Sequence, residues 1–251
     1  MRFWISFLFI GFFPKIFGLY SGNPSSPMMP EQDLIFKQPW ASLKTGYEYD
    51  AVFSRSFKIE SPHEAQKIRK LTSHTQLGVL TLNLADRAEL FGSLGSMAST
   101  LDTSIHHQDV EYKSDTHFAW SIGGRVLFAY WGNLQFGLSA SYLHFFPRVH
   151  APPMLNPSYK DLDYTEWQVG AGISYHFGWL YPYIGTKYSQ ARAKYFHARH
   201  HLDDPSLILK SKKIPGLVIG CGLAPERGIA FNVEGRFIDE TALTASVDIK
   251  F

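Results

Sequence analysis

From Trp40 to the last residue, apolar and polar positions alternate in short runs, the period of a strand with one apolar face. In WASLKTGYEYDAVF, residues Leu43, Thr45, Tyr47, Tyr49, Ala51 and Phe53 share one side, and Ser42, Lys44, Gly46, Glu48 and Asp50 share the other. THFAWSIGGRVLFAYW puts Phe118, Trp120, Ile122, Val126, Phe128 and Tyr130 opposite Ser121, Gly123 and Arg125. TEWQVGAGISYHF sets Trp167, Val169, Ala171, Ile173 and Tyr175 against Glu166, Gln168, Gly170, Gly172, Ser174 and His176. The same scheme recurs in LGVLTLNL, AELFGSLGSMAS, LQFGLSASYLHFF, YPYIGTKYSQARA, GLVIGCGL, IAFNVEGRFI and ALTASVDIKF, which predicts about ten strands.

A soluble sandwich also alternates, so the choice of architecture rests on three further features. The polar face is rich in Gly and Ser and carries single charges, unlike a sandwich core and like a barrel lumen. The predicted connections, 55–74, 85–87, 100–114, 131–133, 147–163, 178–180, 194–213, 224–228 and 239–241, alternate long and short except at the end. Trp40, Trp131 and Trp179 fall at one end of their strands, Trp120 and Trp167 near the other, as in two interfacial girdles. Lipid supplies no hydrogen-bond partner to a strand edge, so a sheet that spans a membrane must close on itself. The expected fold is all-β: an antiparallel transmembrane outer-membrane β-barrel with long outer loops and short periplasmic turns.

Composition narrows this picture. Of the 251 residues, 18% are charged and 16% aromatic, and the net charge of +2 gives no argument for nucleic acid. A mean hydropathy of -0.12 excludes a bundle of membrane-spanning helices. The single cysteine, Cys221, rules out an internal disulfide framework. At the start, Arg2 followed by FWISFLFIGFF has the charge and length of a signal peptide, with the cut expected after Gly18. The expected organisation is a cleaved signal at 1–18, a periplasmic Pro/Ser-rich leader at 19–39 and the barrel at 40–251. The chain's end on an alternating strand at Phe251 is expected to seal the barrel. Val247, Ile249 and Phe251 are expected to form the signal for the outer-membrane assembly machinery.

Several stretches resemble the chlamydial major outer membrane protein family: LYSGNPSSP, LKTGYEYDAVFSR, LTLNLADRAELFGSLG, THFAWSIGGR, TEWQVGAGISYHFGWLYPYIGTKYSQARA and FNVEGRFIDETALTASVDIKF. They cover most strands in order. The resemblance implies an outer-membrane porin, in a Gram-negative-type bacterium, with a structural share in the envelope. This chain would be a short, cysteine-poor member, and Cys221, on the lipid-facing parity, does not suit envelope cross-linking.

Lys44, Glu48, Asp50, Arg125, Glu166, Gln168, Lys187, Glu234 and Arg236 are the candidate lumen-lining residues. Their mixed signs predict no strong ion selectivity. The Gly and Ser positions favour an opening, so the expected function is passive diffusion of small solutes or ions with a structural share in the envelope; the alternative, should the opposed charges close the lumen, is a non-conducting structural or adhesion barrel. A protease is the enzyme alternative, drawing on His106 and His107 near Asp102 and Asp109, or His197, His200 and His201 near Asp203 and Asp204. No catalytic motif joins these, so neither enzyme activity, metal nor cofactor is expected. SPHEAQKIRKL, with Ser61, Pro62 and Glu64 as a capping box, predicts a short helix. Arg55, Lys58, Lys67, Arg69 and Lys70, with Lys194, Arg199, Lys210, Lys212 and Lys213, make two outer loops basic, suited to lipopolysaccharide phosphates or a host polyanion. Other expected partners are membrane lipid and a second copy of the chain.

Overall fold

The computed structural model describes residues 19–29, 40–59, 67–105, 108–150, 159–197, 207–211, 215–226 and 228–251. Ten antiparallel strands form the wall. They are β1 (Ala41–Arg55), β2 (Lys67–Leu84), β3 (Ala88–Ile105), β4 (His117–Trp131), β5 (Leu134–Phe145), β6 (Tyr159–Tyr175), β7 (Leu180–His197), β8 (Pro215–Glu226), β9 (Ile229–Phe237) and β10 (Glu240–Lys250). Each pairs with its sequence neighbour, and β10 pairs with β1 from Lys44↔Lys250 to Arg55↔Glu240. The barrel is therefore closed, and the backbone N–H of Phe251 extends the seam by donating to the Leu43 carbonyl at 2.8 Å.

Alternation assigns the faces as the chain pattern predicts. Outward positions such as Leu80, Leu94, Ile122, Ile184, Ile219 and Val233 are open on the wall, and the rings of Trp40, Trp131 and Trp179 stand exposed beside the short turns. The tight turns have identifiable causes. Between β2 and β3, Ala85 and Asp86 both take positive φ (52° and 54°), and the Arg87 N–H donates to the Leu84 carbonyl at 3.0 Å. The two positive-φ residues give this three-residue connection a twist that matches the strands it joins. Gly132, Gly178 and Gly228 supply the positive φ at the other turns of that end.

The long-loop end differs from the expectation. Strands run well into the segments expected to be loops: β2 begins at Lys67 and β7 reaches His197. Residues 67–71 of the expected helix are strand, and 60–66 lie outside the described residues. Two short strands, Phe57–Ile59 and Leu207–Ser211, also arise within predicted loops. They pair with each other, and Leu207–Ser211 pairs with β7. Phe57–Ile59 lies against β2, so they carry the wall over the shorter strands β8, β9 and β10. Residues 108–114 and 149–150 extend the rim beside β3 in the same way.

Of the expected periplasmic leader, 30–39 lie outside the described residues, and the described part, 19–29, is placed differently. Residues 19–29 run inside the barrel, ending in a 3-10 turn at Ser26–Met28. Ser21, Asn23, Ser25 and Ser26 are buried there. Pro24 seats against Gly137 and Gly172, where an added Cβ would come within 2.9 Å and 2.8 Å of the proline ring. Residues 1–18, the expected signal, lie outside the described residues.

Candidate functional site

The candidate site is the lumen. All nine residues singled out from alternation point into it, and eight are buried, with Arg125 partly so. They meet one another rather than border an open passage. Near the short turns, Lys44 Nζ contacts Glu89 at 2.6 Å and donates to the Ser26 carbonyl at 2.6 Å and to that of Met29. Arg125 reaches the other Glu89 oxygen at 3.2 Å and lies over the Phe91 ring. Residues 19–29 fill the remaining section at this level. The backbone N–H groups of Ser21 and Gly22 each donate to the Glu234 carboxylate at 3.0 Å, and Gln168 donates to the Tyr20 carbonyl at 3.0 Å. Asn23 donates to the Tyr181 carbonyl at 3.1 Å, and Asn83 to that of Pro27 at 2.7 Å.

At mid-height, Arg236 joins three carboxylates: Asp50 at 2.7 Å, Glu240 at 2.8 Å and Glu234 at 3.3 Å. Lys187 contacts Glu240 and, at 3.2 Å, Asp239. Arg55 makes a two-pronged contact with Glu166 at 2.6 Å and 2.7 Å and donates to Ser189 at 2.7 Å. Glu48 is buried within the field of Asp50, Arg125 and Arg236. Removing such charges from water costs several kcal/mol each, offset only when partners and hydrogen bonds are complete. Arg236, Lys187 and Arg55 each serve two or more acceptors, so the network holds them in one arrangement.

Above this layer the inward residues turn apolar. Leu71, Leu77, Met97, Leu101, Leu143, Phe145, Leu162, Tyr195 and Leu209 are buried in one cluster that spans the barrel. A cavity of about 20 Å³ beside Pro24 and Arg125 has room for about one water.

Alternation did not single out Glu89, Arg55, Asp239 or Glu240. Glu89 was legible, since it shares the inward parity of Phe91 and Ser93. Arg55 was expected in a basic outer loop; a β-bulge between Val52 and Ser54 resets the parity and turns it inward. Asp239 and Glu240 sit at a turn, where periodicity is silent.

The histidine clusters fall largely outside the described residues: 106, 107, 200, 201, 203 and 204 are not described, nor are the side chains of His197 and Asp109. Asp102 faces outward and contacts Lys70 at 3.7 Å. Among the described residues no group of three metal-ligating side chains occurs. One Asp–His pair that the sequence did not suggest is present: His144 Nε2 lies 3.1 Å from Asp163, which Lys194 also contacts at 3.1 Å. It stands on the outward face, beside the Trp120 ring.

No family model matches the chain. It is 24% identical over 283 aligned residues to a major outer membrane porin of Chlamydia pneumoniae, covering 74% of this chain and 73% of that one. With the serovar E major outer membrane porin of Chlamydia trachomatis it shares 23% over 357 residues, 92% of this chain and 89% of the relative. This protein is an outer-membrane β-barrel, distantly homologous to the chlamydial major outer membrane porins. Solved barrels resemble it more loosely. The Pseudomonas aeruginosa outer membrane protein OprG has a TM-score of 0.44 at 10% identity, covering 87% of this chain and 99% of that one. The Escherichia coli outer membrane protease OmpT has 0.41 at 12%, covering 84% and 95%.

Proposed function

We propose that this barrel is a closed structural element of the outer membrane that contributes wall and stiffness to the envelope rather than a path for solutes. The observation that carries the reading is the filled lumen: residues 19–29, the Arg236 and Arg55 networks and the apolar cluster succeed one another along the axis. Ten strands enclose little more than the eight whose interior side chains fill. The test is reconstitution in a planar bilayer. The expected record is flat at moderate voltage; discrete current steps from folded protein would overturn the proposal.

A second reading, passive diffusion of small solutes or ions, is favoured by the name of the relatives, porins. It requires the lumen contents to move, and residues 19–29 are the one part of the described filling that does not belong to the wall. A disulfide between cysteines placed at Ser25 and Ser174, whose hydroxyls touch, would hold them in place. Current seen only after reduction would support this reading. Lipid, lipopolysaccharide and the assembly machinery are the partners that either reading calls for. Neither assigns a catalytic step, and cleavage of a peptide panel by purified protein would count against both.

A further inference from the structure

The seam between β10 and β1 carries a ladder of oxygen-bearing side chains on its lumen side. Gly46 pairs with Asp248, Glu48 with Ser246 and Asp50 with Thr244. Arg236 and Thr244 occupy one oxygen of Asp50, and the other, Oδ2, has no hydrogen-bond partner. Ser246 Oγ, directly across from Glu48, has none either. Tyr20 of the inward-running segment is buried, and its hydroxyl, directed at Ser246, is also unpaired. Glu48 is 8% exposed, and among the described residues nothing donates a hydrogen bond to it or forms an ion pair with it.

The cations nearby are engaged elsewhere. Arg236 reaches Glu48 through its field alone, because its three nitrogens are taken by Asp50, Glu234, Glu240 and Thr244. Arg125 also acts at a distance, with its guanidinium turned to Glu89 and packed on Gly22. Lys187 and Arg55 are held by Asp239, Glu240 and Glu166. Glu48 is the carboxylate left over. A carboxylate buried without a contact partner is costly to ionise, so either a proton or a mobile cation accompanies it.

We infer that Glu48, Asp50 Oδ2 and Ser246 Oγ, with the Tyr20 hydroxyl, bind one divalent cation of the Ca2+ class at the closing seam. The donor set is oxygen only, which suits a hard ion rather than zinc or copper. Ca2+ accepts irregular oxygen shells completed by water, whereas Mg2+ demands a near-ideal octahedron and gives up its own waters reluctantly. The hydroxyls of Ser246 and Tyr20 add neutral oxygens from two further parts of the chain. The ion ties the first strand to the last, and both to the inward segment, at the place where the barrel closes.

The test uses full-length folded protein in neutral detergent, stripped with EDTA and returned to CaCl2, MgCl2 or NaCl at matched ionic strength. Native mass spectrometry should show one Ca2+ retained per chain. In urea, Ca2+ at about a hundred times its dissociation constant is expected to lower the unfolding equilibrium constant about a hundredfold, with Mg2+ weaker and NaCl without effect. Glu48→Gln should abolish the Ca2+ effect, and Asp102→Asn, on the outward face, should keep it. Ser246→Ala and Tyr20→Phe leave both carboxylates in place and should each weaken Ca2+ binding, so they decide the matter if Glu48→Gln does not fold. No retained Ca2+ would overturn the site and leave a proton on Glu48. An equal Ca2+ effect in these variants and the parent protein would also overturn it. An NaCl effect equal to that of CaCl2 would overturn the assignment to a divalent ion. Ion retention and unfolding are read without regard to conductance, so failure here is distinct from failure of the closed-lumen reading.

Discussion

Ile238 is the residue most out of keeping with its backbone. It takes φ of 81° in the tight turn between β9 and β10, a region that β-branched side chains avoid. The strain is of order 1–3 kcal/mol. Its side chain is 69% exposed, so removing it costs little packing. Ile238→Gly should raise stability by about 1 kcal/mol, read as a higher urea midpoint at unchanged slope. Arg236 is the opposite case. Its three carboxylate partners are all buried, so Arg236→Met leaves Asp50, Glu234 and Glu240 facing one another without it. The expected loss is about 3–5 kcal/mol, in the same unfolding measurement. Both residues are plain in the sequence as letters, but neither the turn's φ nor the convergence of three strands on one guanidinium follows from local periodicity.

Among the elements, the inward-running segment 19–29 depends on small residues across the lumen. Gly137 and Gly172 leave the space that Pro24 occupies. Gly172→Val should push the segment off its seat. With Cys221→Ser in the background, maleimide labelling of a Ser25→Cys probe should then be at least about tenfold faster, as expected when a buried site opens locally. Unchanged labelling would show that the seat tolerates the added bulk. The closing strand makes a second case. Phe251 adds one main-chain bond to the seam with β1, and Val247 and Ile249 face outward beside it. Deleting Phe251 is expected to lower the amount of heat-modifiable, surface-located barrel. Ten alternating runs were enough to place every wall strand. The short strands 57–59 and 207–211 were missed because three to five residues carry too little periodicity, and their pairing partners are remote in sequence.

At the scale of the molecule, the lumen closes in successive layers. Polar backbone and the Lys44–Glu89–Arg125 group lie near the short turns, the Arg236 and Arg55 networks at mid-height, and the apolar cluster beneath the long loops. The outer half closes chiefly with side chains of the wall and its rim strands, with Leu19 as the contribution of the inward segment. Removing residues 19–29 should therefore leave planar-bilayer conductance at baseline, and steady channels from such a deletion would show that the upper layers yield once the segment is gone.

The sequence by itself determined the class of fold, the face that strand residues take wherever no bulge resets the parity, and the closure of the last strand on the first. These follow from a period of two, from turn residues and from the requirement that no strand edge meet lipid unpaired. Only the tertiary structure decided whether the lumen is open. Gly and Ser on the inward face looked like room for solutes, yet at Gly137 and Gly172 the room is taken by Pro24. The inward charges looked like pore lining, yet they pair across the barrel between residues as far apart in sequence as Asp50 and Arg236. Alternation says which way a side chain points; what it meets there depends on barrel width, on register and on segments that return from elsewhere in the chain.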